Sequence, residues 1–254
     1  MDNTPPVTTR SDRRRSRPEA VAEELKSLMV RQGLRPGDRL PGEAELIEHF
    51  AMAKGTIREA MRILETQGLI RTRTGPGGGS FVAEVGRDRA KRLLGNYFYF
   101  HDLRVDDIYQ LRCLLEPELA ADLAGRLSPE VLDELRAITR RYDAPSTSPE
   151  EERDQHIASL EFHKVLAREA ANPVLGFMLD FLATMLSDLT VWRALYAPAN
   201  RDLWQSGRDS QLRLLAAMER GDSAEARRIM AEHMTRARHL MAAQEAALAS
   251  DFLG

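Results

Sequence analysis

Lys54, Gly55, Thr56, Arg58 and Arg62 fall on or near one face of an amphipathic stretch, opposite Ile57, Met61 and Leu64. Cationic and hydroxyl donors gathered toward the first turns of a helix are the groups that read the major groove of duplex DNA. Arg58 is the leading base-reading candidate, because a guanidinium can bind guanine O6 and N7 with two parallel hydrogen bonds. Thr56 suits a phosphate or a thymine methyl, and Lys54, a point charge, suits a phosphate. Arg71 and Arg73 alternate onto one side of a short strand that runs into Gly75-Pro76-Gly77-Gly78-Gly79. That tip can track a phosphate backbone or a minor groove. On an isolated helix these arginines would read as a solvated face; within a complete helix-turn-helix with a wing they read as DNA contacts.

A second constellation lies in the other half of the chain. His233 sits on the apolar stripe Ala226, Ile229, Met230, Met234, Ala237, Leu240, and Gln211 sits with Trp204, Leu214, Leu215 and Met218. A polar group on a buried stripe needs a partner, here a metal, a ligand or another side chain. Arg112 lies among Leu111, Leu114 and Leu115. Its fork can clamp a carboxylate or pair with Glu116, four residues on along the same helix face, and the two roles are compatible. Cys113 is the only cysteine, so no intrachain disulfide and no cysteine-based zinc site can form. No nucleophile-base motif is evident, and no enzyme activity is expected.

These residues must be carried by elements, and the punctuation gives them. Residues 1–17 hold five arginines and little that is apolar, which predicts a disordered basic arm. Ser16-Arg17-Pro18-Glu19 is a helix start, with Ser as cap and Glu three residues on. Val21, Leu25, Leu28 and Met29 repeat at helical spacing after it. A short second helix follows Pro41-Gly42 and carries Leu46, Ile47 and Phe50 inward. Ala51-Met52-Ala53 turns into a third helix over residues 54–66, stopped by Gln67-Gly68. The period then changes to two: residues 69–74 and 80–83 form the strands of a hairpin. Three helices and a hairpin make a winged helix-turn-helix. Beyond it no strand pattern recurs. A linking helix is expected over 87–94, then helices over 108–125, 129–142, 149–171, 173–196, 202–220 and 222–248, an all-α bundle. The predicted fold is thus mainly α. The predicted domains are an arm (1–17), a winged helix-turn-helix (18–85), a linker region (86–105) and a helical domain (106–250).

Charge follows that division. The total of −3 argues weakly against nucleic acid, yet residues 1–85 hold 14 Lys and Arg against 12 Asp and Glu, and residues 86–254 hold 22 against 27. A modestly basic head is attached to an acidic bundle. The longest apolar run, 174–192, contains Asp180 and Asp188 and is expected not to span a membrane. The first residues contain no apolar stretch of the secretory type, so a cytoplasmic protein is expected.

The motif residues also stand in a known arrangement. Arg35-Pro36-Gly37-Asp38-Arg39-Leu40-Pro41-Gly42-Glu43, Thr56-Ile57-Arg58-Glu59-Ala60-Met61, Leu64-Glu65-Thr66-Gln67-Gly68-Leu69-Ile70 and Gly79-Ser80-Phe81-Val82 resemble the GntR family of bacterial transcription regulators. Leu111-Arg112-Cys113-Leu114-Leu115-Glu116, Phe162-His163, Ala171-Asn172-Pro173-Val174-Leu175 and Gly221-Asp222-Ser223-Ala224-Glu225-Ala226 resemble the FCD ligand-binding domain of its FadR subfamily. The resemblance implies a homodimeric DNA-binding regulator. It would be a repressor released by a small organic acid, reading an inverted-repeat operator through Arg39, Lys54, Gly55, Thr56, Arg58, Arg62, Arg71, Arg73 and Gly78. A transcriptional activator is the alternative, as is a metal-dependent enzyme using His163 and His233. Where the family has Ser-Arg at the start of the recognition helix this chain has Ala53-Lys54, and where it has Arg after the Glu of the second helix this chain has Ala44. FCD domains commonly hold a divalent metal, Zn or Ni, with one Asp and three His. The matching positions here are Ser159, His163, Gln211 and His233, a degenerate set in which only His163 and His233 are ordinary ligands. Asp154, His156 and Glu161 are the nearby residues that would have to substitute. The same positions, with Arg112, are the implied effector contacts.

Overall fold

The computed structural model describes residues 16–84, 86–99 and 101–251. The expected basic arm lies outside the described residues except for Ser16 and Arg17, and Arg17 already belongs to the first helix. The chain divides into two compact units that part between Ala90 and Lys91.

In the first unit α1 (Arg17–Arg31) begins as a capping box. The Ser16 hydroxyl accepts from the Glu19 N–H, and the Glu19 carboxylate accepts from the Ser16 N–H at 2.8 Å. α2 (Glu43–Phe50) ends at Ala51, which takes a left-handed φ of 49°, and α3 (Lys54–Gln67) follows. Leu25, Leu46, Ile57, Ala60 and Leu64 are buried together where α1 and α2 meet α3. Gly68 closes α3 at φ 77°, and the Arg89 guanidinium lies against it, donating to the Thr66 carbonyl at 2.5 Å. The wing is β1 (Ile70–Arg73) paired antiparallel with β2 (Gly79–Val82), in the register Ile70↔Val82, Arg71↔Phe81, Thr72↔Ser80, Arg73↔Gly79. The other edge of β2 is also held: Leu40 N–H donates to Ser80 and Val82 N–H donates to Asp38, each at 2.8 Å.

The second unit is helical. α4 (Arg87–Tyr99) crosses the division between units and runs past the expected end at residue 94. A glycine inside a helix is only a weak stop, and beyond Gly95 Phe98 lies 6.1 Å, ring to ring, from Phe181. α5 (Val105–Leu123), α6 (Pro129–Arg140), α7 (Pro149–Arg168), α8 (Pro173–Trp192), α9 (Arg201–Glu219) and α10 (Ser223–Asp251) follow. Their starts use local chemistry: Ser148 Oγ accepts from Glu151 N–H, Asn172 Oδ1 from Val174 and Leu175, Asp222 Oδ1 from Glu225. The αL turns at Gly125 and Gly221 touch; a Cβ on Gly125 would meet the Gly221 Cα at 3.1 Å. α8 corrects one expectation. By length and composition it could cross a membrane, so Asp180 and Asp188 interrupt it less than predicted. In the bundle it instead buries Leu179, Phe181, Leu182, Ala183 and Leu186, and Asp180 takes an ion pair from Lys91 at 3.0 Å.

Candidate functional site

The DNA-facing candidates surround the N-terminal end of α3. Ala53 caps α3 without a side-chain hydrogen bond, and the first turn of α3 carries no acidic residue. Its N–H groups therefore present uncompensated positive potential, a ready anion site. Lys54, Gly55, Arg58 and Arg62 are exposed and Thr56 is half-buried. Arg58 and Lys54 are not free: both reach Glu43 of α2, at 2.9 and 3.3 Å. The Arg58 guanidinium, with Lys54 beside it, holds the Glu43 carboxyl below the usual carboxylate range. Glu43 is thus a partner that spacing along α3 alone does not show, because the pair spans 15 residues and two helices. Arg62 pairs with Glu59 at 3.5 Å. On the wing Arg71 is exposed, and Arg73 stacks on the Phe81 ring at 5.0 Å. Arg39 donates to the Gly78 carbonyl at 2.8 Å. Its guanidinium fixes the wing tip, so Arg39 and Gly78 act together there.

The second constellation is a chain of buried polar groups crossing the helical bundle. Arg112 and Glu116 of α5 are 1% and 4% exposed, and Arg112 Nε donates to Glu116 at 2.6 Å. The other Glu116 oxygen accepts from His163 Nδ1 of α7. That bond leaves His163 Nε2 as an acceptor, facing His233 Nε2 of α10 at 3.3 Å and the Gln211 amide nitrogen of α9 at 3.4 Å. Gln211 also donates to Ser159 Oγ at 3.3 Å, and its carbonyl accepts from the Tyr142 hydroxyl. Burial would push the Glu116 carboxyl up; Arg112 and His163 overcome that and hold it at about 2. Burial, then proximity to His163, lowers His233 to about 3. Burial, then Arg112, lowers His156 to about 4. At neutral pH both of these imidazoles are uncharged. Both expected roles of Arg112 are open: its Nε holds Glu116, while its Nη2 is buried with no partner. Arg112 also stacks over Tyr109, 5.0 Å from guanidinium carbon to ring centre.

Arg112, Ser159, His163 and His233 line one cavity of about 50 Å³, with Tyr109 and Trp204 among its walls. Gln211 stands behind them, completely buried. Four of the five expected effector residues therefore face one space. Tyr142, Gln155 and Arg208 also line it and were not expected. Gln155 had a signal, since it precedes Ser159 and His163 at intervals of four. Arg208 had one too, three residues before Gln211. Tyr142 follows the end of α6 and is brought in by tertiary packing alone.

A divalent metal does not fit this donor set. The two imidazole Nε2 atoms are spaced as cis ligands would be, but no carboxylate joins them, and Gln211 turns its N–H₂ rather than its oxygen toward His163. Asp154 pairs with Arg153 and Glu161 with Arg141, both at the surface. Among the described residues no group of three His, Cys, Asp or Glu side chains could hold an ion.

Comparisons with known proteins agree with this architecture. Residues 18–82 match the family model described as bacterial regulatory proteins, gntR family, and residues 107–236 match that of the FCD domain. The chain is 26% identical over 226 residues to the HTH-type transcriptional repressor NanR of Escherichia coli K12, covering 85% of this chain and 81% of that protein. NanR of Shigella flexneri matches equally. Among solved structures, a Streptococcus agalactiae GntR superposes with a TM-score of 0.62 at 22% identity, covering 87% of this chain and 99% of that one, a likeness of fold.

Proposed function

This chain belongs to the GntR family of bacterial regulators, in the branch that carries an FCD domain, and we propose that it is a homodimeric repressor released by a small organic acid. That it is a DNA-binding transcriptional regulator follows from the family; the direction of control, the effector and the dimer are the proposal. The observation that supports an acid effector is Arg112 Nη2, a buried guanidinium N–H without a hydrogen-bond partner in a residue that lines the cavity. The charge itself is met by Glu116; what stays open is one N–H donor, which a second carboxylate can take.

Residues 18–85 read DNA in this scheme, and 106–250 sense the ligand, with 86–105 between them. Arg58 reads a base; Lys54, Arg62 and the first N–H groups of α3 at Gly55 and Thr56 bind phosphate. Arg71 and Arg73 follow the backbone beside a wing tip that Arg39 and Gly78 hold in place. Two-fold symmetry matches an inverted-repeat operator. A homodimer has apolar surface available on two adjacent helices: Leu111 and Leu114 of α5 and Trp192 of α8 are exposed. The ligand enters as a shift of populations. A hundredfold loss of operator affinity needs about 2.7 kcal/mol of preference for the non-binding arrangement. The cavity is about 50 Å³, roughly a third of one that holds a benzene-sized guest, so any acid beyond a few atoms must part the helices. No metal is needed in this scheme.

The test selects an operator from random duplex DNA and titrates it with small acids in a gel-shift assay, from the cytoplasmic compartment where such regulators act. Loss of the complex with an acid, and loss of selective binding by Arg58→Ala at a cost of roughly 1–3 kcal/mol, are the expected results. Operator affinity unchanged by Arg58→Ala removes Arg58 as the base-reading residue. One equivalent of tightly held zinc or nickel in the purified protein removes the metal-free site.

A further inference from the structure

Among the described residues three buried side-chain atoms lack a hydrogen-bond partner: Arg112 Nη2, Gln155 Oε1 and Arg208 Nε. All three residues line the one cavity described above. Buried polar groups are paired in the great majority of cases, so three orphans meeting in one place describe the complement of something that binds there.

Each of the three is anchored to one other group, in a cavity of about 50 Å³ that must widen to take a six-heavy-atom acid. Arg112 is fixed by Glu116 at 2.6 Å. Gln155 donates its N–H₂ to the Ala144 carbonyl at 3.0 Å, which settles the orientation of its amide and leaves the oxygen as the open atom. Arg208 is anchored to Asp143 at 3.0 Å through Nη2, leaving Nε inward. The open set is therefore one N–H donor on each of two guanidiniums, paired elsewhere with Glu116 and Asp143, and one neutral acceptor. The donors call for a carboxylate. The acceptor calls for an O–H or N–H on the same small molecule.

We infer that Gln155 and Arg208 set the specificity of the cavity, and that they select a hydroxy-carboxylate. The carboxylate is taken by the Arg112 and Arg208 N–H groups, and the hydroxyl donates to Gln155 Oε1. An amino acid would bring the right hydrogens but an unwelcome charge. Its ammonium would lie beside two guanidiniums and an imidazole, His156, kept neutral, while Glu116 and Asp143 are already taken by those guanidiniums. The one carboxylate on the wall, Glu152, already accepts from the Ser146 hydroxyl and the Asn200 N–H. Leu160, Leu203 and Trp204 supply the apolar wall for a short carbon chain. This inference rests on the proposed sensing role of the helical unit.

The test measures affinities of the full chain by calorimetry for matched pairs: lactate against propionate, glycerate against lactate, and lactate against alanine. A binding site that reads hydroxyls through a buried acceptor favours lactate over propionate by tenfold or more. Gln155→Leu should erase that preference while acetate-class binding persists, and Arg208→Gln should weaken hydroxy and deoxy acids alike. The wild-type comparison decides the matter even if a variant folds poorly. Propionate or alanine binding as tightly as lactate overturns the inference and leaves the acid-sensing proposal standing. If none of the acids binds while operator binding is intact, both are overturned.

Discussion

Removing the charge of Glu116 while keeping its shape tests the physical centre of the helical unit. Glu116→Gln leaves the Arg112 guanidinium, 1% exposed, without its anion, and deprives His163 Nδ1 of a charged acceptor. Breaking a buried ion pair from one side costs about 3–5 kcal/mol. The pair Arg227–Glu118, one end of it two residues along the same helix, is 53% and 61% exposed and provides the control. Glu118→Gln should cost less than about 1 kcal/mol. Urea unfolding followed by tryptophan fluorescence separates the two, because both tryptophans, Trp192 and Trp204, lie in the helical unit and report on it alone. With a slope of about 2 kcal/mol per molar, the Glu116→Gln midpoint falls by about 1.5–2.5 M and the Glu118→Gln midpoint by at most about 0.5 M. Replacing both partners, as Arg112→Met with Glu116→Leu, should recover most of the loss, since an apolar pair leaves no buried charge. Equal midpoints for Glu116→Gln and Glu118→Gln would refute the buried-pair reasoning.

Acid should destabilise the same unit. His156 and His233 are held at about 4 and about 3, below the ordinary 6.5, so the unfolded chain binds protons first as pH falls. Stability is complete above pH 6.5 and declines below it; the two groups together lose about 2 kcal/mol between pH 7 and 5.5, read from urea midpoints at each pH. A flat profile contradicts the neutral-imidazole assignment. In the reading head, Glu43→Gln releases Lys54 and Arg58 from their shared carboxylate. Affinity for random duplex DNA should rise several-fold and depend more steeply on salt, measured by fluorescence anisotropy; no change would show that Glu43 does not compete with phosphate.

What the sequence revealed was what local chemistry decides. Ser16 with Glu19, Ser148 before Pro149 and Asn172 before Pro173 announce helix starts because the capping groups lie within three residues of the N–H groups they satisfy. The stripe carrying His233 and the four-residue step from Arg112 to Glu116 are likewise local, and both led into the buried chain. Residues that meet only through packing stayed hidden. Tyr142 comes from beyond α6, and Glu43 reaches Arg58 from another helix. α4 passes Gly95 because an interior glycine is a weak stop, and Phe98 beyond it meets Phe181 only through packing. The motif implies a DNA contact for Arg39, and its hydrogen bond to Gly78 adds a support for the wing that the motif does not show.

α5 connects the cavity to the outside of the bundle. It turns Arg112 inward, where every hydrogen bond along the chain to Gln211 is committed and only Nη2 is open. It turns Leu114 outward, 69% exposed, with Leu111 beside it at 43%. A stiff, satisfied network cannot absorb a displacement of Arg112 locally, so an anion drawing on Nη2 acts on α5 as a whole. If the exposed face of α5 is where the second copy docks, ligand occupancy and dimer geometry are coupled through one helix. Leu114→Glu then separates the two functions: the variant should bind acid with unchanged affinity in calorimetry, yet sediment as a monomer and lose operator binding. A Leu114→Glu protein that remains dimeric in sedimentation, with acid still releasing it from DNA, would show that α5 is not the connecting element.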